Sequence, residues 1–237
     1  MSLQKLQKIS EFGQSAYIHK IRKDGIIYAG KYFKKDSIGE QEVKQYDKLR
    51  ALQEFPQIKP YIIKVIDALP DDEGFIMEYL DPGIWMTLKE GIESSEFKDE
   101  DKLYWIERLH DIVESLHARN WVHKDLHWNN VMINRFTNEI KIIDFGLSTS
   151  NKDPFPHKEN VYGAILFPSK VMKKKPKKQS GIPLTFTFEQ FKQGDLYASD
   201  KWIKNKLKWL NGTGGTLQQI RARAKTGWPR KKQYQDA

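Results

Sequence analysis

With 237 residues, 39% of them hydrophobic and 12% aromatic, the chain can build one large domain or two small lobes around a real core. It has no cysteine, which excludes a disulfide scaffold, a thiol nucleophile and a Cys-ligated metal; no apolar run approaches the roughly 18 residues of a membrane span, and Met1 to Lys5 lacks the apolar stretch of a signal peptide. The net charge of +9 is uneven, because from Ser169 onward 17 Lys and Arg face 4 Asp and Glu, a balance of +13, whereas residues 1–168 sum to −4.

In chain order, Ile9 to Ile21 reads as strand, turn and strand around Gly13, and Ile26 to Phe33 as a third strand. Asp36-Ser37-Ile38-Gly39 breaks the pattern with turn formers. Glu40 to Leu52 has helical spacing, with Val43, Tyr46, Leu49 and Leu52 on one face. Tyr61 to Leu69 and Phe75 to Leu80 read as strands joined by the polar turn Asp71-Asp72-Glu73-Gly74. These elements predict a small, mostly antiparallel sheet with one helix. After Asp81-Pro82-Gly83 the pattern turns helical: Lys102 to Ala118 is amphipathic through Leu103, Ile106, Leu109, Ile112, Val113 and Leu116. The expected organisation is α+β, with a β-rich lobe over residues 1–80 and a mainly α-helical lobe over 81–237.

The most informative segment follows that helix. It reads His123-Lys124-Asp125-Leu126-His127-Trp128-Asn129-Asn130, then a strand Val131 to Ile133, a turn Asn134 to Glu139, a strand Ile140 to Ile143, and Asp144-Phe145-Gly146. A hairpin of that size brings Asp125, Asn130 and Asp144 to one rim. Three oxygen-bearing side chains there can hold magnesium and steer an attacking hydroxyl. The spacing resembles the catalytic loop and metal-binding tripeptide of the protein kinase family.

That resemblance extends over residues 9 to about 200 and implies a two-lobed kinase-like fold with ATP and Mg2+ as cofactors. Tyr28-Ala29-Gly30-Lys31 is similar to the family's Val-Ala-Ile-Lys strand, so Lys31 would contact the ATP phosphates. Glu42 would hold Lys31 from the helix, since Tyr46 and Leu49 follow it on one face. Ala29 would roof the adenine, Met132 would floor it and Ile18 would close the side. Met77-Glu78-Tyr79-Leu80 resembles the hinge, with Met77 guarding the back and the backbone around Glu78 and Leu80 bonding the base. Asp125 would be the catalytic base, and Asn130 and Asp144 the metal ligands. His123, Phe145 and Tyr46 would stack between the lobes.

Departures from the family pattern are equally legible. Of three expected glycines in the phosphate loop only Gly13 survives, which weakens backbone approach to phosphate. Lys124 replaces an Arg that binds an activation-segment phosphate, and a Lys lacks the bidentate fork. His127 stands where serine/threonine kinases carry Lys. Phe167-Pro168-Ser169 replaces Ala-Pro-Glu. Gly194 to Ala198 resembles the start of the central helix of the C-lobe, where Asp195 would brace the catalytic loop; the plainer reading is a helix N-cap. Only about 40 residues follow Asp195, so the chain is similar to the shortened kinases of viruses and bacterial effector sets.

The expected function is therefore transfer of the ATP γ-phosphoryl group to a protein Ser or Thr hydroxyl. The alternatives are a small-molecule phosphotransferase, suggested by His127, and a catalytically dead scaffold whose basic end binds a partner. The protein substrate is one expected partner. An anionic one (nucleic acid, acidic protein or anionic membrane surface) is the second, through the basic C-terminal part with Lys173-Lys174-Lys175-Pro176-Lys177-Lys178, against a merely solvated surface. The expected location is soluble and intracellular, cytoplasmic or nuclear, with action inside a host cell as a further option.

Overall fold

The computed structural model describes residues 3–10, 16–34, 44–70, 73–152 and 187–210, with Ser10 and 200–210 described by their backbone alone. Gly13, Glu42, Phe167-Pro168-Ser169 and the lysine run at 173–178 lie outside the described residues.

A five-stranded antiparallel sheet, in the order β1-β2-β3-β5-β4, is built from β1 (Leu3–Ser10), β2 (Ala16–Lys23), β3 (Ile26–Phe33), β4 (Val65–Ala68) and β5 (Gly74–Glu78). Helix α1 (Gln45–Gln53) lies between β3 and β4 in sequence and buries Leu49 and Leu52 completely. The first strand starts earlier than the sequence pattern suggests, at Leu3. β4 is shorter than its apolar run, because residues 59–61 form a turn of 3-10 helix and Ile62 and Ile63 bridge to Ile142 instead.

Side chains alternate across a strand, so the register assigns each to a face. Ile18 pairs with Lys31, Lys20 with Ala29, Ala29 with Met77 and Lys31 with Phe75. Ile18, Ala29, Lys31 and Met77 therefore share one face of the sheet. The other face carries a small separate core of Ile21, Tyr32, Leu69 and Ile76.

Gly74 sets the depth of this sheet beside Lys31. Its φ is +149°, and a Cβ built there would sit 1.8 Å from the Lys31 carbonyl oxygen. Backbone cannot step aside as a flexible side-chain tip can. Gly74→Ala is expected to destabilise the fold by at least about 2 kcal/mol, from strained φ plus a displaced strand. Chemical denaturation of the two proteins checks this; equal midpoints would show that β5 can shift freely.

The second part begins with β6 (Trp85–Thr87) and α2 (Leu88–Glu93). Thr87 and Glu90 cap that helix reciprocally. Helix α3 (Asp99–Ala118) opens on three acidic residues, Asp99, Glu100 and Asp101, which complement the positive end of its dipole. Its inward stripe is Trp105, Ile106, Leu109, Ile112, Val113 and Leu116, all buried. Trp105 takes the place expected for Leu103, and its Nε1 donates to Asn138 Oδ1 at 3.0 Å.

Strand β7 (Trp121–Val122) pairs with β10 (Thr149–Ser150), while β8 (Val131–Asn134) lies between β6 and β9 (Ile140–Ile142). The last described element, α4 (Phe188–Leu210), packs against α3. His110 Nδ1 lies 3.4 Å from Ser199 Oγ, and His117 Nε2 lies 3.3 Å from Asp195 Oδ2. One hydrophobic core joins α1, α3, β8, β9, Phe145 and Ala198. The two parts are also stitched by backbone: Ile63 N donates to Ile142 O at 3.0 Å. No helix among the described residues is long and apolar enough to cross a membrane.

Candidate active site

The β8–β9 hairpin does what its length suggested. It carries the chain from Asn130 out and back, and Ile143 N closes it by donating to Asn130 O at 2.9 Å. That bond places Asp144 beside the loop that bears Asp125. Asn130 is buried, and its Nδ2 donates to the Asp125 carbonyl at 2.9 Å and to Asp125 Oδ2 at 3.3 Å. The amide nitrogen is thus spent on Asp125, which leaves the Asn130 carbonyl oxygen as the atom able to ligate a metal.

Lys31 reaches this rim from β3. It is buried, and its Nζ donates to Asp144 Oδ1 at 2.9 Å and to Gln45 Oε1 at 2.7 Å. Gln45, the first residue of α1, also donates from Nε2 to Asp144 Oδ1 at 3.3 Å. Burial works against charge on Asp144, but the Lys31 ammonium, with a hydrogen bond from Gln45, holds its carboxyl below the ordinary carboxylate value. Asp125 behaves oppositely. Burial pushes its pKa up and the nearby Asp144 adds to this, against the pull of His127 and Asn130.

The loop backbone is held from below. Asp195 Oδ2 accepts from His123 N at 2.7 Å and Oδ1 accepts from Lys124 N at 3.0 Å. Lys124 has φ +68°, a left-handed conformation that costs a long side chain energy; the Asp195 bonds fix it there. Asp195 lies well inside α4, so the helix N-cap reading for it is wrong: the helix starts at Phe188. Thr187 is the residue that caps α4, trading bonds with Gln190 at 2.9 and 3.3 Å.

Two imidazoles stand in the loop with different tasks. His123 is fully buried and kept neutral by burial. Its Nδ1 accepts from Asp125 N at 3.3 Å, so its proton lies on Nε2 and is donated to Ile143 O at 3.0 Å. Its ring meets Phe145 edge-on at 4.7 Å. Tyr46, expected in the same stack, packs instead on Phe75 at 6.2 Å. His127 accepts from Asn129 N on Nδ1 at 3.3 Å, and its Nε2 lies 3.8 Å from Asp125 Oδ2. Burial lowers its pKa, opposed by Asp125.

The remaining positions expected to contact nucleotide are placed as follows. Ala29 is buried, and Ile18, Met77, Glu78, Leu80 and Met132 are half-buried. Glu78 Oε1 accepts from Lys141 Nζ at 2.6 Å and from Lys64 N at 2.7 Å, so its side chain ties the end of β5 to both residues.

The family model for the protein kinase domain matches residues 4–179. The chain belongs to the protein kinase family. A serine/threonine-protein kinase WARTS homolog of Caenorhabditis elegans is 32% identical over 106 residues, covering 44% of this chain and 11% of that protein. Serine/threonine-protein kinase Warts of Drosophila melanogaster is 25% identical over 143 residues, covering 60% and 13%. Smooth-muscle myosin light chain kinase of Gallus gallus is 30% identical over 132 residues, covering 54% and 7%. The chain spans about a tenth of the length of the relatives it matches. Asp195 lies beyond the matched residues, although it holds the backbone of the loop that bears Asp125.

The donor set fits magnesium. Among the described residues no three His, Cys, Asp or Glu side chains gather as an all-protein cage. One carboxylate, Asp144, and one amide oxygen, Asn130, suit an ion that keeps water and takes substrate phosphate oxygens for its other ligands. Gln45 is the residue that sequence reasoning missed. Its signal was present: Leu49 and Leu52 follow it at four and seven residues, and both are fully buried.

Proposed function

We propose that this chain is an active protein kinase that transfers the γ-phosphoryl group of ATP to a protein serine or threonine hydroxyl. The carrying observation is the 2.9 Å contact between Lys31 Nζ and Asp144 Oδ1, which joins the β-sheet to the loop of Asp125 and Asn130. The relatives support the serine/threonine class, since those named above as WARTS proteins bear it in their names.

On this reading residues 1–80 bind nucleotide and 81–237 carry the chemistry. Asp125 orients the attacking hydroxyl and takes its proton. Lys31 holds the α and β phosphates, a task suited to a point ammonium. Asn130 and Asp144 would hold Mg2+, which when bound neutralises charge on the phosphates. Ile18, Ala29, Met77 and Met132 enclose the base.

Incubation with γ-labelled ATP, Mg2+ and a generic protein mixture tests the proposal, with a metabolite mixture in parallel. Label on protein serine or threonine is expected. Label on metabolites alone, or on tyrosine alone, would overturn it.

Regulation follows from Lys124. Its side chain is buried, with Nζ 4.7 Å above the Phe191 ring, and so faces α4. Ser148 and Ser150 are buried as well, and Ser148 Oγ donates to Phe145 O at 2.7 Å. A phosphate on either buried hydroxyl would disrupt its packing, and the Lys124 side chain is turned toward Phe191. Phosphatase treatment is therefore expected to leave the specific activity within about twofold. A tenfold drop would show that a phosphate elsewhere switches the enzyme and that Lys124 was misread.

A further inference from the structure

Helix α1 grips the Asp144-Phe145-Gly146 segment at both ends. Gln45 bonds Asp144, and one turn on, Lys48 Nζ donates to Gly146 O at 2.9 Å. Gln45 is 1% exposed, so its amide has no water to satisfy it and must find partners in protein. Its orientation is fixed by chemistry. Lysine can only donate, so the atom facing Lys31 is the carbonyl oxygen; an ionised carboxylate can only accept, so the atom facing Asp144 is the nitrogen.

A carboxylate at this position could satisfy only half of that arrangement. It would accept from Lys31, but it would set a second negative oxygen about where Nε2 now lies, 3.3 Å from Asp144 Oδ1. Like charges so close cannot both ionise cheaply. The neutral amide avoids the conflict and closes a ring of three side chains, Lys31, Gln45 and Asp144. Both of the amide's bonds go to charged groups, and such bonds are the stronger kind.

The geometry points to Gln45 as a positioning residue of this site: its amide holds the phosphate-binding Lys31 and the metal-binding Asp144 in register. This rests on the kinase reading above, and it explains how α1 could be docked without a phosphate on the activation segment. Gln45 touches no reacting atom; it acts through Lys31 and Asp144.

Gln45→Met and Gln45→Glu separate this from ordinary packing. For the Met variant, KM for ATP and the Mg2+ concentration at half-maximal rate are each expected to rise about tenfold, as two bonds to charged groups are lost. The rise in melting temperature on adding Mg2+ and ADP should shrink. For the Glu variant, melting without metal should fall, and the rise on adding Mg2+ and ADP should exceed that of wild type, because the ion relieves the paired carboxylates. A merely structural role would lower melting equally with and without ligand and leave KM unchanged; that result overturns the proposal. So does a Glu variant whose ligand-induced rise is no larger than wild type, which also decides the matter if the Met variant does not fold. Wild-type protein that binds Mg2+ and ADP but labels no protein would sink the kinase reading alone, and the melting comparison would still judge Gln45. Wild type that binds neither sinks both.

Discussion

Asp144→Asn is expected to lower kcat/KM for phosphotransfer by about 10³-fold or more, since a metal acting as Lewis acid supplies several kcal/mol of transition-state stabilisation. Asparagine is the informative change. Asp144 has φ +61°, which Asn tolerates and Ala does not, so Ala would mix backbone strain with lost charge. The Asn variant keeps the shape and can still accept from Lys31, but it removes the anionic ligand. The pH dependence should identify this group by its silence. Because the folded pKa of Asp144 is depressed, its charge and the stability it contributes are present above the ordinary carboxylate value and are lost only as pH falls through the lower folded value. No limb of the activity profile near neutrality should vanish in Asp144→Asn. Steady-state kinetics across pH check both statements, and activity within tenfold of wild type would remove Asp144 from the metal site.

How much of this was legible in sequence depends on what kind of constraint placed each residue. The catalytic loop and tripeptide were readable because the chemistry demands fixed residue types at a spacing set by one hairpin. Lys31 was readable from the likeness of Tyr28-Ala29-Gly30-Lys31 to the family's Val-Ala-Ile-Lys strand, and the register of β3 puts Ala29 and Lys31 on one face. Gln45 was missed because a carboxylate is the ordinary partner of a buried lysine, whereas here an amide on the deepest helix face takes that place. Glu42, the residue so chosen, lies outside the described residues, while Gln45 leads the face that buries Leu49 and Leu52.

The early start of β1 was hidden for another reason. Leu3, Leu6 and Ile9 recur at every third position, which matches no regular strand. The pairing with β2 slips between Lys5 and Gln7 and again between Lys8 and Ser10. Each slip inserts one residue, as a bulge does, and converts a two-residue period into three. All three apolar side chains are about 40% exposed, so burial left no pattern to read. Asp195 was read correctly as a brace, but the helix start was misplaced. Thr187 and Gln190 form the Thr-x-x-Gln signature of a capped start, which was available in the sequence and passed over.

Asp125→Asn is expected to cut kcat by roughly 10²- to 10⁴-fold, the range for loss of a general base, with ATP affinity nearly unchanged. Affinity should survive because Asp125 is bonded to Asn130 rather than to Lys31, and asparagine can still accept from Asn130 Nδ2. The same variant should melt higher than wild type at neutral pH. The sign follows from burial, which raises the folded pKa of Asp125 above its unfolded value. The folded state then binds more protons than the unfolded one between those two values, and stability falls as pH rises through that window. Above it the folded protein bears a penalised carboxylate that asparagine removes; below the unfolded value both side chains are neutral and the gain should disappear. The acid limb of the wild-type rate profile is expected to belong to the same group, because the Asp144 carboxyl is held below its ordinary value while that of Asp125 is raised. Melting curves and kcat measured together from pH 4 to 8 test the pairing, since one group must account for both. A variant that loses activity but melts below wild type at pH 7 would show that Asp125 is held in place by favourable ionic contacts, with His127 at 3.8 Å winning over burial.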